Sequence, residues 1–137
     1  MNNGKKINFL IILVMMSFFL GCNNISQNEI LGVYVIDKQP IELANNNMYY
    51  YLILENNNKY YLKSNNNNKE NIISSWRILN LENDTLNIEF KYMNKTVIGK
   101  LKGNTFLFEK NNIFDKRMPA SLYVKTNLES GKIIGSN

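Results

Sequence analysis

The chain has 137 residues, with 16 Lys and Arg against 11 Asp and Glu and a formal net charge of +5 at pH 7. It holds no histidine and a single cysteine. That excludes Ser-His-Asp and Cys-His catalysis, disulfide stapling and nearly every zinc site, each of which needs an imidazole or several thiolates. No five-residue window holds more than two Lys or Arg, so the clustered charge of a nucleic-acid binder is missing too.

The N-terminal stretch "MNNGKK" carries Lys5 and Lys6, and Phe9 to Leu20 is then apolar except for Ser17. This run of about 12 residues falls short of the roughly 20 that a membrane-spanning helix requires. A basic start, a short apolar segment and a small residue at its end describe a secretory leader. The segment ends Phe19-Leu20-Gly21-Cys22. These residues resemble the lipobox of bacterial lipoproteins, L-[AS]-[GA]-C, with Phe19 where Leu is common. The resemblance implies that the Cys22 thiol carries a diacylglycerol, that the chain is cut before Cys22, and that the new amino group is acylated, palmitate being the usual chain. It also implies export and a lipid anchor in the cell envelope. Asn23 stands where the family's inner-membrane retention signal is Asp, so in a host with two membranes the outer one is the expected address. The expected organisation is a signal peptide over 1–21, a lipidated tether over 22–29 and one domain over 30–137. Lys5 and Lys6 leave with the leader, so the remainder carries a net charge of about +3.

Short apolar segments separated by turn signals follow. "ILGVYVID" (30–37) reads as a first strand, and "MYYYLILE" (48–55), dense in aromatic and β-branched types, as a second. "NNNK" turns the chain into "YYLK" (60–63), which places Leu52 and Leu54 opposite Tyr60 and Leu62 in a hairpin. An Asn-rich loop leads to "IISSWRILNL" (72–81), and Glu82-Asn83-Asp84 turns into "TLNIEFKY" (85–92). There Leu86, Ile88, Phe90 and Tyr92 alternate with Asn87, Glu89 and Lys91, the pattern of a half-buried antiparallel strand. "TVIGKLK" (96–102), a Gly103-Asn104 turn of type II′, "TFLFE" (105–109) and "SLYVK" (121–125) continue the series. "KIIG" (132–135) reads as a further strand. "IFDKRMPA" has room for one helical turn, and Pro119 falls in a connection where its missing N–H does no harm. The asparagine runs at 45–47, 56–58 and 65–68 fall between strands, where the side chain bonds nearby backbone and tolerates left-handed conformations.

Seven or eight strands joined by short local turns predict an all-β antiparallel meander, either an up-and-down barrel or a sandwich. Gly32-Val33-Tyr34 on the first strand, followed by serial hairpins, resembles lipocalin-like small bacterial lipoproteins, with Tyr where the G-x-W signature has Trp. That resemblance implies a barrel able to hold one small apolar ligand. Tyr34, Tyr50, Trp76, Phe90, Phe106 and Phe108 are the candidates to line such a cavity, or alternatively to fill the barrel. The consecutive tyrosines Tyr49 to Tyr51 place aromatic rings on both faces of one strand, so one face offers contact area to a protein partner. Arg77 is expected at the surface, lying along Trp76. Glu42, Glu55, Glu70, Glu82, Asp84, Glu89 and Glu109 fall at strand ends or on polar faces, and no spacing fixes an acid beside a base. The sequence therefore predicts a non-enzymatic, membrane-anchored binding module without cofactor or metal. Its partner is an envelope protein, as for inhibitor or immunity lipoproteins, or in the alternative a small apolar ligand.

Overall fold

A computed structural model of the chain describes residues 26–37, 49–64, 70–109, 114 and 120–135. Its strands are β1 (Gly32–Ile36), β2 (Tyr49–Leu54), β3 (Lys59–Ser64), β4 (Ile72–Glu82), β5 (Thr85–Tyr92), β6 (Lys95–Lys102), β7 (Thr105–Phe108) and β8 (Ser121–Thr126). They pair antiparallel in sequence order, and β8 returns to β1 to close a barrel. Of the two architectures expected, this is the up-and-down barrel. Among the described residues two short helices flank the strands, α1 (Gln27–Ile30) and α2 (Ser130–Ile134).

The strands form where side-chain alternation gives each a buried face. In β5, Leu86, Ile88, Phe90 and Tyr92 are all buried, while Lys91 is exposed. The first hairpin has the expected register, Leu52 opposite Leu62 and Leu54 opposite Tyr60. Asparagine closes it. The Glu55 N–H donates to the Lys59 carbonyl at 2.9 Å, and Asn58 takes φ 58°, the left-handed region that Asn tolerates. Asn83 and Asp84 both take positive φ, 47° and 60°, as a type I′ turn requires. Of Gly103 and Asn104, only the glycine is left-handed, at φ 56°, consistent with type II′. Gly99 answers a different need. A Cβ there would lie 2.8 Å from Phe108 Cε1, so the missing side chain makes room for a ring.

Two elements differ from expectation. "KIIG" does not add a strand, because Lys132 to Ile134 lie in α2. The reason is topological: β8, the strand that "KIIG" follows, already pairs with β7 on one side and β1 on the other, so it has no free side to offer. Instead Lys63 Nζ donates to the Ile133 carbonyl at 2.5 Å, which sets α2 against the outside of the barrel. On this side Val33 and Ile53, cross-strand partners on the outer face, are fully buried. At the other terminus β1 begins at Gly32 rather than Ile30, and Gln27 to Ile30 form a helical turn that places buried Ile30 in the core cluster. Cys22, Pro119 and most of "IFDKRMPA" lie outside the described residues.

Among the described residues two bulges shape the sheet. In β2 the register shifts between Tyr49, opposite Ser64, and Tyr51, opposite Lys63. Tyr50 is the extra residue between them. In β4 the shift falls between Ile78 and Asn80, leaving Leu79 extra. β4 also changes neighbours along its length. Ile72 to Ser75 pair with β3, whereas Trp76 to Glu82 pair with β5.

Candidate functional site

Aromatic rings occupy the barrel interior. Tyr34 meets Phe106 edge-on at 4.9 Å between centroids, and Phe90 meets Tyr60, Phe106 and Phe108 at 5.1, 5.8 and 5.6 Å. Phe114, on the connection between β7 and β8, adds a ring 4.8 Å from Phe108 and 5.6 Å from Phe90. These separations are those of rings in contact. Each polar tip in this layer has an acceptor. The Tyr34 hydroxyl donates to the Ile30 carbonyl at 2.8 Å, Tyr60 to Lys91, Tyr123 to Tyr49 at 2.8 Å, and Trp76 Nε1 to Lys59 at 3.0 Å. Burial pushes the Tyr34 and Tyr60 hydroxyls well above the usual phenol range, with the neighbouring Tyr92 and Tyr49 adding to the effect at Tyr60.

Of the residues singled out from sequence, Tyr34, Trp76, Phe90, Phe106 and Phe108 thus come together as a packed layer. Tyr50 stands apart. It is half-buried at the β2 bulge, packs against the core from its edge, and meets Tyr51 edge-on at 4.8 Å. The outward tyrosine of that strand is Tyr51, opposite Lys63. Arg77 does not lie along Trp76. Adjacent residues of a strand point to opposite faces, and Arg77 instead bonds Glu89 across the ladder at 2.6 Å. That carboxylate raises the Arg77 pKa further, the hydrogen bond contributing most.

In an antiparallel meander alternate turns fall at alternate ends, so α1 shares its end of the barrel with the β2–β3, β4–β5 and β6–β7 turns. Two open clefts lie here. One, of about 430 Å³, is lined by Leu31, Gly32, Leu54, Glu55, Asn56 and Ser130 among others, and the second, of about 510 Å³, by Glu29, Ile30, Asp84, Leu101 and Lys125 among others. Neither reaches the ring layer. Among the described residues no three His, Cys, Asp or Glu side chains gather as metal ligands would.

The residues that sequence reading passed over lie on β4. Ile78, Leu79 and Leu81 are 41, 43 and 42 % exposed on the half of the strand that projects past the β2–β3 turn. The adjacent apolar pair Ile78-Leu79, which breaks the alternation where the bulge falls, was the available sign. In comparison with known proteins, no family model, no curated protein and no solved structure matches the chain.

Proposed function

We propose that the chain is a lipid-anchored envelope protein, held at Cys22, whose barrel binds a protein partner through its outer surface. The observation that carries the binding reading is the packed interior. Rings of Tyr34, Phe106, Phe90, Phe108 and Phe114 form an unbroken chain of contacts, which leaves recognition to the outside. The competing reading, a carrier of a small apolar ligand, needs space that these contacts occupy. The anchor rests on the sequence Phe19-Leu20-Gly21-Cys22 and the short apolar run before it. A single acyl chain binds a membrane only marginally, whereas two or more hold a protein firmly.

Two experiments test the reading. Expression with labelled palmitate should label the wild type and not Cys22→Ala, and the wild type alone should lose residues 1–21 and sediment with membranes. An unlabelled wild type removes the anchor from the proposal. For binding, a photo-crosslinker placed at outward Leu122 or Ile73 should give adducts of protein mass in intact cells, and one at inward Phe106 should give none. Native mass spectrometry of the purified chain should find no co-purifying lipid-sized molecule beyond the covalent acyl groups. A stoichiometric apolar ligand would favour the carrier.

A further inference from the structure

β4 leaves β3 part-way along its length. The backbone bond from Trp76 N–H to the Asn58 carbonyl, 2.9 Å, is the last link on that side. Beyond it, among the described residues, Arg77 to Glu82 have ladder partners only on β5. A strand with one open side presents backbone donors and acceptors in a row that invites another strand. The segment is Arg77-Ile78-Leu79-Asn80-Leu81-Glu82. Read antiparallel against itself, it sets the positive end opposite the negative one and Ile78 opposite Leu81.

We propose that this edge pairs with the same edge of a second copy of the chain about a two-fold axis. In that pairing Arg77 lies opposite Glu82 of the second copy, Ile78 opposite Leu81, and Leu79 opposite Asn80. The bulge makes the faces agree. In a regular strand residues 78 and 81 point to opposite faces, which forbids such a register. Here Ile78 stands opposite Ile88 and Leu81 opposite Leu86, both inward residues of β5, so Ile78 and Leu81 share a face. Arg77, opposite Glu89, and Glu82, opposite Thr85, share the other. Two-fold pairing requires a self-complementary patch, and this segment is one in both charge and face. Arg77 bonds Glu89 through Nε only, its side chain is 66 % exposed, and a guanidinium has five donors, so a second carboxylate finds a partner there. A lipid surface fits less well, because Glu82 and Asp84 sit at the tip of this hairpin.

Six residues from each copy cover far less than the roughly 1,200 Å² of a standard interface, so the contact is weak and depends on concentration. Confinement of both copies to one membrane would raise that concentration, but the pairing itself does not rest on the anchor.

The test uses the full chain in detergent micelles. Arg77→Glu alone and Glu82→Arg alone each place like charges opposite one another twice in the dimer, and each should lose about tenfold in self-association. Mixed together, the two variants restore both attractions and should form a heterodimer selectively. A second measurement guards against a folding effect of either charge change. In a Cys22→Ser background, tagged Ile78→Cys and Leu81→Cys chains should form a disulfide with each other under mild oxidation, while Ile73→Cys should not join either. Selective heterodimers or the 78–81 disulfide support the pairing. Two results would overturn it: absence of both, or vesicle binding by monomeric Cys22→Ala chain that is abolished by Leu79→Lys.

Discussion

Ile78 and Ile88 stand opposite each other in one ladder and face the same way, yet Ile78 is 41 % exposed and Ile88 is fully buried. Leu81 and Leu86 repeat the contrast at 42 and 4 %. Residue type and face are matched, so neither explains the difference. What differs is the neighbour on the far side. β5 has both β4 and β6 beside it from Leu86 to Phe90, whereas β4 beyond Trp76 has lost β3. At these two matched positions burial follows the second neighbour, and the β4 residues that lack one are surface open to a partner.

The contrast can be broken from the inside first. Phe90 touches Tyr60, Phe106, Phe108 and Phe114, so Phe90→Ala should cost about 3–5 kcal/mol in chemical denaturation. Lys91→Ala, one residue on and outward, should be nearly silent. Equal losses would mean that the faces of β5 are misassigned. The matched isoleucines sharpen the comparison itself. Ile88→Ala should cost about 2–5 kcal/mol and Ile78→Ala under about 1 kcal/mol by the same measurement.

The buried hydroxyls give a pH signature. An unfolded tyrosine loses its proton near about pH 10, whereas folded Tyr34 and Tyr60 hold theirs to higher pH because burial disfavours the phenolate. Their contribution is therefore complete below about pH 10 and is lost as the pH rises beyond it. Denaturation midpoints should fall above that pH, and Tyr34→Phe should flatten the fall. At neutral pH the same change should cost about 1–2 kcal/mol through the hydrogen bond to Ile30. A smaller effect of opposite sign belongs to Met93, which takes φ 51° in the β5–β6 turn. Left-handed backbone costs a non-glycine residue about 1–2 kcal/mol, so Met93→Gly should raise stability by about 1 kcal/mol.

The interior was legible in the sequence because alternation and turn chemistry agree along β5 and the first hairpin. Phe90, Phe106 and Phe108 could be assigned inward from spacing alone. Whether they enclose space or fill it could not, because that depends on how rings from five strands and the Phe114 connection meet. "KIIG" misled because a short apolar run fits strand and helix alike, and only closure of β8 onto β1 decides between them. The tyrosine run hid a bulge, which assigns Tyr49 and Tyr51 to opposite faces and leaves Tyr50 between them. The open half of β4 was invisible because strand length says nothing of where a neighbour stops.

Hydrogen exchange tests the claim about β4 most directly. In dilute monomer, amides of residues 77–82 should exchange by local opening, orders of magnitude faster than those of 86–92, which need global unfolding. Raising the protein concentration should slow the first group and leave the second unchanged. Protection of 77–82 equal to that of β5 in the dilute monomer would contradict the account.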